Sequence, residues 1–414
     1  MNWKKLLWAT AHPVRAFEKR RAVTDRVLSH ILSEDRYATW RGYGRLADCE
    51  RQLAAVLGSD PTPVFVFPTP SVAWGYLFQR PQQLARALTQ LGHTVLYAAD
   101  PKFAHPPDNQ VRGVYRLPDG TILYADGRGG RMIASVRRRV ICWQYWPHQR
   151  DFRRHLPPDS KLIYDCVDDL DVFHQYPNIH RDHADTIARA DLVLASSHRL
   201  VETVKGNRPD ALLVPNAVTY DDFADPRPCD FPELDRLRAQ SDVIVGYYGA
   251  LAEWIDWDLL LKAAVARRDW TFLLVGDVWM HIQAQQRLRR EPNVHIWDRQ
   301  PYERLPALLA NFDVAIIPFC VNKLMHAVSP IKLFEYMAGG KPVVSTPLEE
   351  CRRFPLVRVA GSPEQFIREI EWSLGPGQSE QHRAELQACA ADNTWLARAQ
   401  TVVQKLKDKG MLEA

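Results

Sequence analysis

The sequence predicts an α/β fold built from two doubly wound parallel sheets. From residue 61 onward, short β-rich runs alternate with helical stretches, the pattern of a parallel sheet covered on both faces. In the second half these runs are almost continuously apolar, as strands buried on both faces are. Between the two series lies a stretch rich in Asp, Pro and Arg, Tyr220–Ser241, after which the pattern restarts. A chain of 414 residues fits two or three domains at roughly 100–200 residues each.

Taken in order, residues 1–60 read as helical and polar. Lys4, Lys5, Arg15, Lys19, Arg20, Arg21 and Arg26 face only Glu18 and Asp25 over the first 26 positions. A solvated helix packed on the first domain is the expected reading, ahead of a surface that touches anionic lipid. The first strand is Val64–Phe67. A helix begins near Pro81, which suits a first helical turn, and ends at Gly92. Further strands are expected at Thr94–Ala98, Val140–Trp143, Leu162–Asp165, Leu192–Ala195 and Ala211–Val214. The second series is Val243–Tyr247, Trp270–Val275, Val294–Trp297, Val314–Ile317 and Pro342–Ser345, with helices at Asp256–Arg268 and Tyr302–Ala310. A last helical region covers Gln381–Lys407.

Composition narrows the function classes. Hydrophobic residues are 46% and charged residues 25% of the chain, which argues against disorder and coiled coil. The net charge of +4 is too mild to make nucleic acid the main partner. No apolar stretch approaches the ~18–20 residues of a membrane span, and the N-terminal apolar run is too short for a secretory signal. The seven cysteines are scattered and lack a Cys-x-x-Cys pair, so free thiols in a reducing, cytoplasmic setting are expected and a zinc site is not.

In open α/β sheets ligands bind outside the carboxyl ends of the strands, so the chemistry is sought in strand-to-helix loops. The first such segment runs from Ser329 to Thr346. Ser329 suits an N-cap and Pro330 the first helical position, which puts Lys332 in the first turn, the wrong end of the helix dipole for a cation. An anion at that helix end would explain the charge, with Glu335 on the same face. A phosphate on Lys332 with a ribose on Glu335, and an exposed i,i+3 ion pair worth about 0.3 kcal/mol, fit the spacing equally well.

Four other places stand out. Trp74–Gln82 follows the first strand and sets Arg80 at the mouth of a helix, where a guanidinium suits phosphate. Tyr164–Asp171 ends another strand, with Asp165 and Asp168 as candidate general bases on an acceptor hydroxyl, against helix capping for Asp168. Asp169 and Asp171 superficially resemble a metal pair, but no metal is expected. The Gly249-Ala250 turn allows backbone to approach a phosphate closely and precedes Glu253, while Asp256 is read as a helix cap. Asp277 and Arg299 also follow strands and are weaker candidates for donor contacts. Arg137–Arg139, Arg150, Arg153 and Arg154 add positive charge to the first domain.

The block Ser329–Thr346 resembles the nucleotide-sugar helix of GT-B glycosyltransferases, especially the large, mostly retaining bacterial family-four-like group 1 enzymes with a "Pro-x-Lys-x-x-Glu-Tyr…Gly-x-Pro-Val-Val" signature. Gly246–Asp258 resembles that family's opening of the C-terminal domain. Val214-Pro-Asn-Ala-Val218 resembles its "Pro-Asn-Gly-Val" segment, with Ala217 for the usual Gly, and Asn393–Arg398 resembles its "Ser-Trp-x-x-Arg". The matches follow the family's order across roughly residues 62–405.

The resemblance implies GT-B architecture: two Rossmann-like doubly wound domains facing a cleft, an N-terminal helical extension and a C-terminal crossover helix. The divisions would be a basic extension at 1–60, an acceptor domain at 61–219, a linker at 220–241, a nucleotide-sugar donor domain at 242–376, and a helix at 377–414 that packs back on the first domain. Carried over, Lys332, Arg80 and Gly249 would contact the donor diphosphate and Glu335 the ribose. His326, Ser329, Asp277, Arg299 and Glu253 would be lesser donor or sugar contacts. Many family members carry a Glu eight positions before the ribose Glu. Here that position is Ala327, with His326 beside it as a substitute, so retention of anomeric configuration does not follow.

The implied activity is transfer of a sugar from a UDP- or GDP-sugar to a saccharide or lipid-linked saccharide of a bacterial envelope or exopolysaccharide pathway. No cofactor or metal is implied, since a helix dipole and cations handle the leaving diphosphate. Peripheral contact with the cytoplasmic face of the inner membrane stays open. Two alternatives stand beside it: a nucleotide-sugar 2-epimerase of the same fold, which would turn over UDP-sugar without an acceptor, and a non-catalytic binding module, against which Lys332 and Glu335 count.

Overall fold

The computed structural model describes residues 28, 31–99, 106–173, 175–279 and 282–413. The basic segment over positions 1–26 lies outside the described residues. The chain forms two compact units, one reaching Tyr164 together with Arg189–Asp191, the other made of Asp165–Ala188 and the chain from Leu192 onward.

The first unit opens with helices α1 (Glu34–Trp40) and α2 (Leu46–Leu57). Cys49, Leu53 and Leu57 recur at helical spacing on α2, which buries that stripe. Strand β1 (Val64–Phe67) is buried at every position, and α3 (Arg80–Gln90) follows it. Leu91 closes α3, and Gly92 takes the positive φ of 85° that the chain needs to turn away. Strands β2 (Thr94–Ala98), β3 (Gly113–Arg116), β4 (Ile122–Ala125), β5 (Val140–Gln144), β6 (Lys161–Cys166), β7 (Leu192–Ala195) and β8 (Leu212–Leu213) complete an eight-stranded sheet in the order β3-β4-β2-β1-β5-β6-β7-β8. Strands β3 and β4 pair antiparallel. The sequence reading missed this hairpin because β3 is half exposed and lacks an apolar run. Its legible signal is Asp119-Gly120, a turn dipeptide whose glycine has φ 94°.

The second unit includes helices α4 (Ile179–Arg189) and α5 (His198–Lys205) in large part or whole, and then α6 (Tyr220–Ala224) and α7 (Pro232–Arg238). These last two lie within Tyr220–Ser241, the stretch whose composition suggested a linker. Pro232 starts α7, acids occupy its first turn and Arg236 and Arg238 its last, so a local helix forms there. Phe223, Phe231, Leu234 and Leu237 bury themselves in the core around the second sheet.

That sheet has six parallel strands, β9 (Ile244–Tyr248), β10 (Thr271–Val275), β11 (Val294–Trp297), β12 (Val314–Ile317), β13 (Val343–Ser345) and β14 (Arg358–Val359), in the order β11-β10-β9-β12-β13-β14. Its helices are α8 (Trp257–Ala266), α9 (Ile282–Leu288), α10 (Leu305–Ala310), α11 (Lys323–His326), α12 (Ile331–Ala338), α13 (Glu349–Arg352) and α14 (Pro363–Leu374). Asp256 caps α8, its carboxylate accepting from Leu259 N at 2.9 Å. The final helical region is two helices, α15 (Glu380–Ala391), which ends with Asp392 as its cap, and α16 (Trp395–Asp408), which Thr394 caps by accepting from Ala397 N at 3.1 Å.

Arg138 is one of the arginines that add positive charge to the first domain, but it does not lie on the surface. It is buried, and its guanidinium fastens Thr62 O at 2.6 Å and Asp60 at 3.1 Å. The middle of the Arg137–Arg139 run is therefore a structural tie. Among the described residues no helix is long and apolar enough to cross a membrane.

Candidate functional site

The carboxyl edge of the second sheet gathers most of the chemistry. Strands β9, β10 and β12 continue into loops that stay hydrogen-bonded to one another. Gly249 N donates to Val275 O at 2.9 Å, Leu251 N to Asp277 O at 3.0 Å, and Asp256 N to Pro318 O at 2.8 Å. This lacing holds the Gly249 turn rigid. Gly249 has φ 141°, and a Cβ there would lie 2.8 Å from both Lys332 Cε and Tyr247 Oη. Only glycine lets the lysine side chain lie against this turn.

Helix α12 begins at Ile331 with Pro330 in the cap position, so Ser329 stands outside the helix and is not its N-cap. The cap supplies no side-chain acceptor, which leaves the first backbone N–H groups of α12 unsatisfied by a cap. Lys332 sits in this first turn. Among the described residues it makes no hydrogen bond, and its charge acts on Glu335.

Glu335 is only 3% exposed. Neither its Oε2 nor the buried Tyr248 Oη beside it makes a hydrogen bond of good geometry, although the two lie close enough to influence each other's titration. Burial raises the Glu335 pKa above the ordinary glutamate value, with Lys332 and the neighbouring Tyr248 partly opposing. The folded chain thus holds this proton more tightly than the unfolded chain does. The stability contributed by the protonated form is fully present below the unfolded value of about 4.3 and is lost as pH rises through the higher folded value. Glu335→Gln is therefore expected to melt higher than the parent at pH 7 and to lose that margin toward pH 4. Thermal melts across pH 4–8 check this. A carboxylate kept buried and unsatisfied at a cost in stability is a mark of a binding site.

The other expected residues fall as follows. Ser329 is buried, its Oγ accepting from Asn216 N at 3.2 Å while its carbonyl accepts from Asn216 Nδ2 at 2.6 Å. Asp277 and Arg299 pair at 3.4 Å beyond β10 and β11. Glu253 is exposed on the loop after β9. His326 closes α11, its buried Nδ1 without a hydrogen bond and 4.0 Å from Glu349 Oε1. Asp165 is buried within β6, and Asp168 is half-buried in the turn that follows. Asp169 Oδ1 accepts from Asp171 N at 3.0 Å, and Asp171 pairs with Lys323 at 3.1 Å, so the carboxylates that superficially suggested a metal pair make a turn and an ion pair. Arg80 is the first residue of α3, buried, in the first unit.

The sequence reading missed several participants. Tyr248 stands next to Glu335, and Tyr336 Oη accepts from Tyr248 N at 3.2 Å. Their signal was the Tyr-Tyr-Gly run before the Gly249 turn. Asn216 ties the segment after β8 to Ser329, and nothing local announces such a pairing.

Two parallel-dominated sheets with helices, and a lysine and a buried glutamate on the first turns of one helix at the second sheet's carboxyl edge, fit a two-domain GT-B fold. Residues 242–374 match the family model described as glycosyl transferases group 1. The chain is 32% identical over 221 residues to TuaH of Bacillus subtilis (strain 168), whose name assigns it to teichuronic acid biosynthesis as a glycosyltransferase. That match covers 50% of this chain and 55% of TuaH, so the chain spans about half the length of this curated relative. A glycosyltransferase of Rickettsia africae ESF-5 shares the fold at 13% identity and TM-score 0.59, over 84% of this chain and 99% of that one. Anabaena HepE, solved in complex with UDP-glucose, does so at 14% identity and TM-score 0.57, over 84% of this chain and 100% of HepE. Residues 242–374 thus resemble the group 1 glycosyltransferases, and the two-sheet fold is one that solved glycosyltransferases share.

Proposed function

We propose that the chain transfers a sugar from a UDP- or GDP-sugar to a saccharide or lipid-linked saccharide acceptor in bacterial envelope polysaccharide synthesis. One observation carries the reading: Lys332, without a hydrogen-bond partner among the described residues, lies over the Gly249 turn while Glu335, buried with Oε2 unsatisfied, follows on the same helix. A diphosphate would be met by the Lys332 charge, the Gly249 backbone and the uncapped start of α12, three features that favour an anion. Glu335 Oε2 would accept a ribose hydroxyl, which completes the bond it lacks. Asp168 or Asp165 is assigned to the acceptor hydroxyl. Asp277, Arg299, Glu253, His326 and Ser329 are the lesser donor or sugar contacts. Ser329, bonded by Asn216, would shape the loop rather than offer a free acceptor. TuaH supports a polysaccharide pathway by its name, and the ligand in HepE makes UDP-glucose the first donor to try.

The leaving diphosphate would be stabilised by Lys332 and the helix start, without a metal. The test is a thermal-shift titration of UDP, GDP and their sugars in EDTA and in Mg²⁺. A nucleotide at ~100 Kd should stabilise by about 2.7 kcal/mol in both buffers. No shift with any nucleotide overturns the donor site. A shift that requires Mg²⁺ overturns the metal-free assignment.

A further inference from the structure

A second cluster at the same sheet edge is unused by the diphosphate and ribose contacts. It joins the last residue of α11, the first residues of α13 and the start of α5. Resting on the reading of this edge as a nucleotide-sugar site, we propose that Glu349, held by Arg199, is a positioning residue that orients His326 so that its Nε2 accepts a hydroxyl of the donor sugar.

The geometry starts from an unsatisfied atom. His326 Nδ1 is buried and has no hydrogen-bond partner, an arrangement a folded chain keeps only where something else completes it. The carboxylate recorded closest to it is Glu349 Oε1, at 4.0 Å, too long for a hydrogen bond and one small rotation from making one. That same oxygen accepts from Arg199 Nη1 at 2.6 Å. Glu349 is thus shared, tightly by Arg199 and loosely by His326.

The neighbouring residue shows why Glu349 is the one free to move. Glu350 has a side chain 5% exposed, accepts from His198 N at 2.9 Å and lies 3.0 Å from His198 Nδ1. It pins α13 against the start of α5. Glu349 is 39% exposed, His326 24% and Arg199 36%, so the cluster borders solvent.

The chemistry follows from the ring. With a carboxylate beside Nδ1, that nitrogen carries the hydrogen in the neutral imidazole, and Nε2 presents its lone pair to a sugar hydroxyl. A hydroxyl drawn to Nε2 seats the ring, and the Nδ1–Glu349 contact closes, as catalytic hydrogen bonds that are long without ligand commonly do. Arg199 keeps the Glu349 carboxylate in reach throughout. A simple surface ion-pair network would leave the imidazole tautomer unset and affect nucleotide and sugar alike.

The experiment compares affinities for UDP and UDP-glucose, and for GDP and GDP-mannose, by calorimetry in Glu349→Gln, Glu349→Asp, His326→Ala, Arg199→Ala and the double variant Glu349→Gln/His326→Ala. UDP or GDP affinity serves as the folding control. Glu349→Gln and His326→Ala are expected to leave nucleotide affinity within about twofold while weakening the cognate nucleotide sugar about fivefold, the loss of one neutral hydrogen bond. Glu349→Asp should restore most of the loss, and Arg199→Ala should show a smaller loss of the same kind. The double variant should be no worse than His326→Ala, because Glu349 acts through the ring. Losses that add in the double variant, equal losses for nucleotide and nucleotide sugar, or no loss at all each overturn the proposal. A parent protein that binds neither UDP nor GDP overturns the underlying nucleotide-sugar reading and this proposal with it, a result distinct from normal nucleotide binding with no sugar discrimination.

Discussion

Asp168→Asn is expected to slow glycosyl transfer by roughly 10²–10⁴-fold, the typical effect of removing a general base. Donor affinity should stay within about twofold, since the substitution keeps shape and removes no proposed donor contact. The argument is positional. Strand β6 ends at Cys166, and Asp168 lies half-buried in the turn beyond its carboxyl end, where open α/β sheets place reacting groups. Asp165 is the competing base, but it lies within the strand and is 1% exposed, so Asp165→Asn should mainly lower the melting temperature. Both variants are to be measured as turnover per folded molecule against UDP- and GDP-sugars. If both melt lower yet turn over like the parent, this turn supplies no base.

Lys332→Ala is expected to weaken UDP or GDP binding by about 1.5–3 kcal/mol, a factor of roughly 10–150, the worth of a charge-assisted hydrogen bond. The size follows from the surroundings. Lys332 forms no competing hydrogen bond among the described residues, and the Gly249 turn lies directly against its Cε. The neighbouring Glu335 should respond as well. Without Lys332 one of the influences opposing its raised pKa disappears, so the buried carboxyl should titrate higher still. Nucleotide affinity unchanged in Lys332→Ala sinks the donor-site assignment, and calorimetric titration of UDP and GDP decides it.

Much of this fold was legible before any coordinates. Strands β1, β2, β7, β11 and β12 fall on the expected residues because each is a short apolar run bounded by turn residues. The hairpin β3–β4 was passed over, because Gly113–Arg116 is half exposed and lacks an apolar run, so that only the Asp119-Gly120 turn announced it. Residues 220–241 show a different limit, since composition did not reveal the two short helices they contain. Their Asp, Pro and Arg are the residues that start and end short helices, so a composition typical of linkers also suits α6 and α7.

For the candidate site, the sequence alone determined which helix carries Lys332 and Glu335 and that both lie near its start, since i,i+3 spacing and proline at a helix entrance are local properties. Only the tertiary structure decided that Glu335 is buried beside Tyr248 with an oxygen unsatisfied, that Ser329 is bonded by Asn216, and that Arg199 and Glu349 converge on His326. The physical reason is distance along the chain. Propensity and periodicity act over a few residues, whereas Arg199 and Glu349 meet because strands β7 and β13 both lead into helices whose first turns come together, and Glu350 pins those turns through His198.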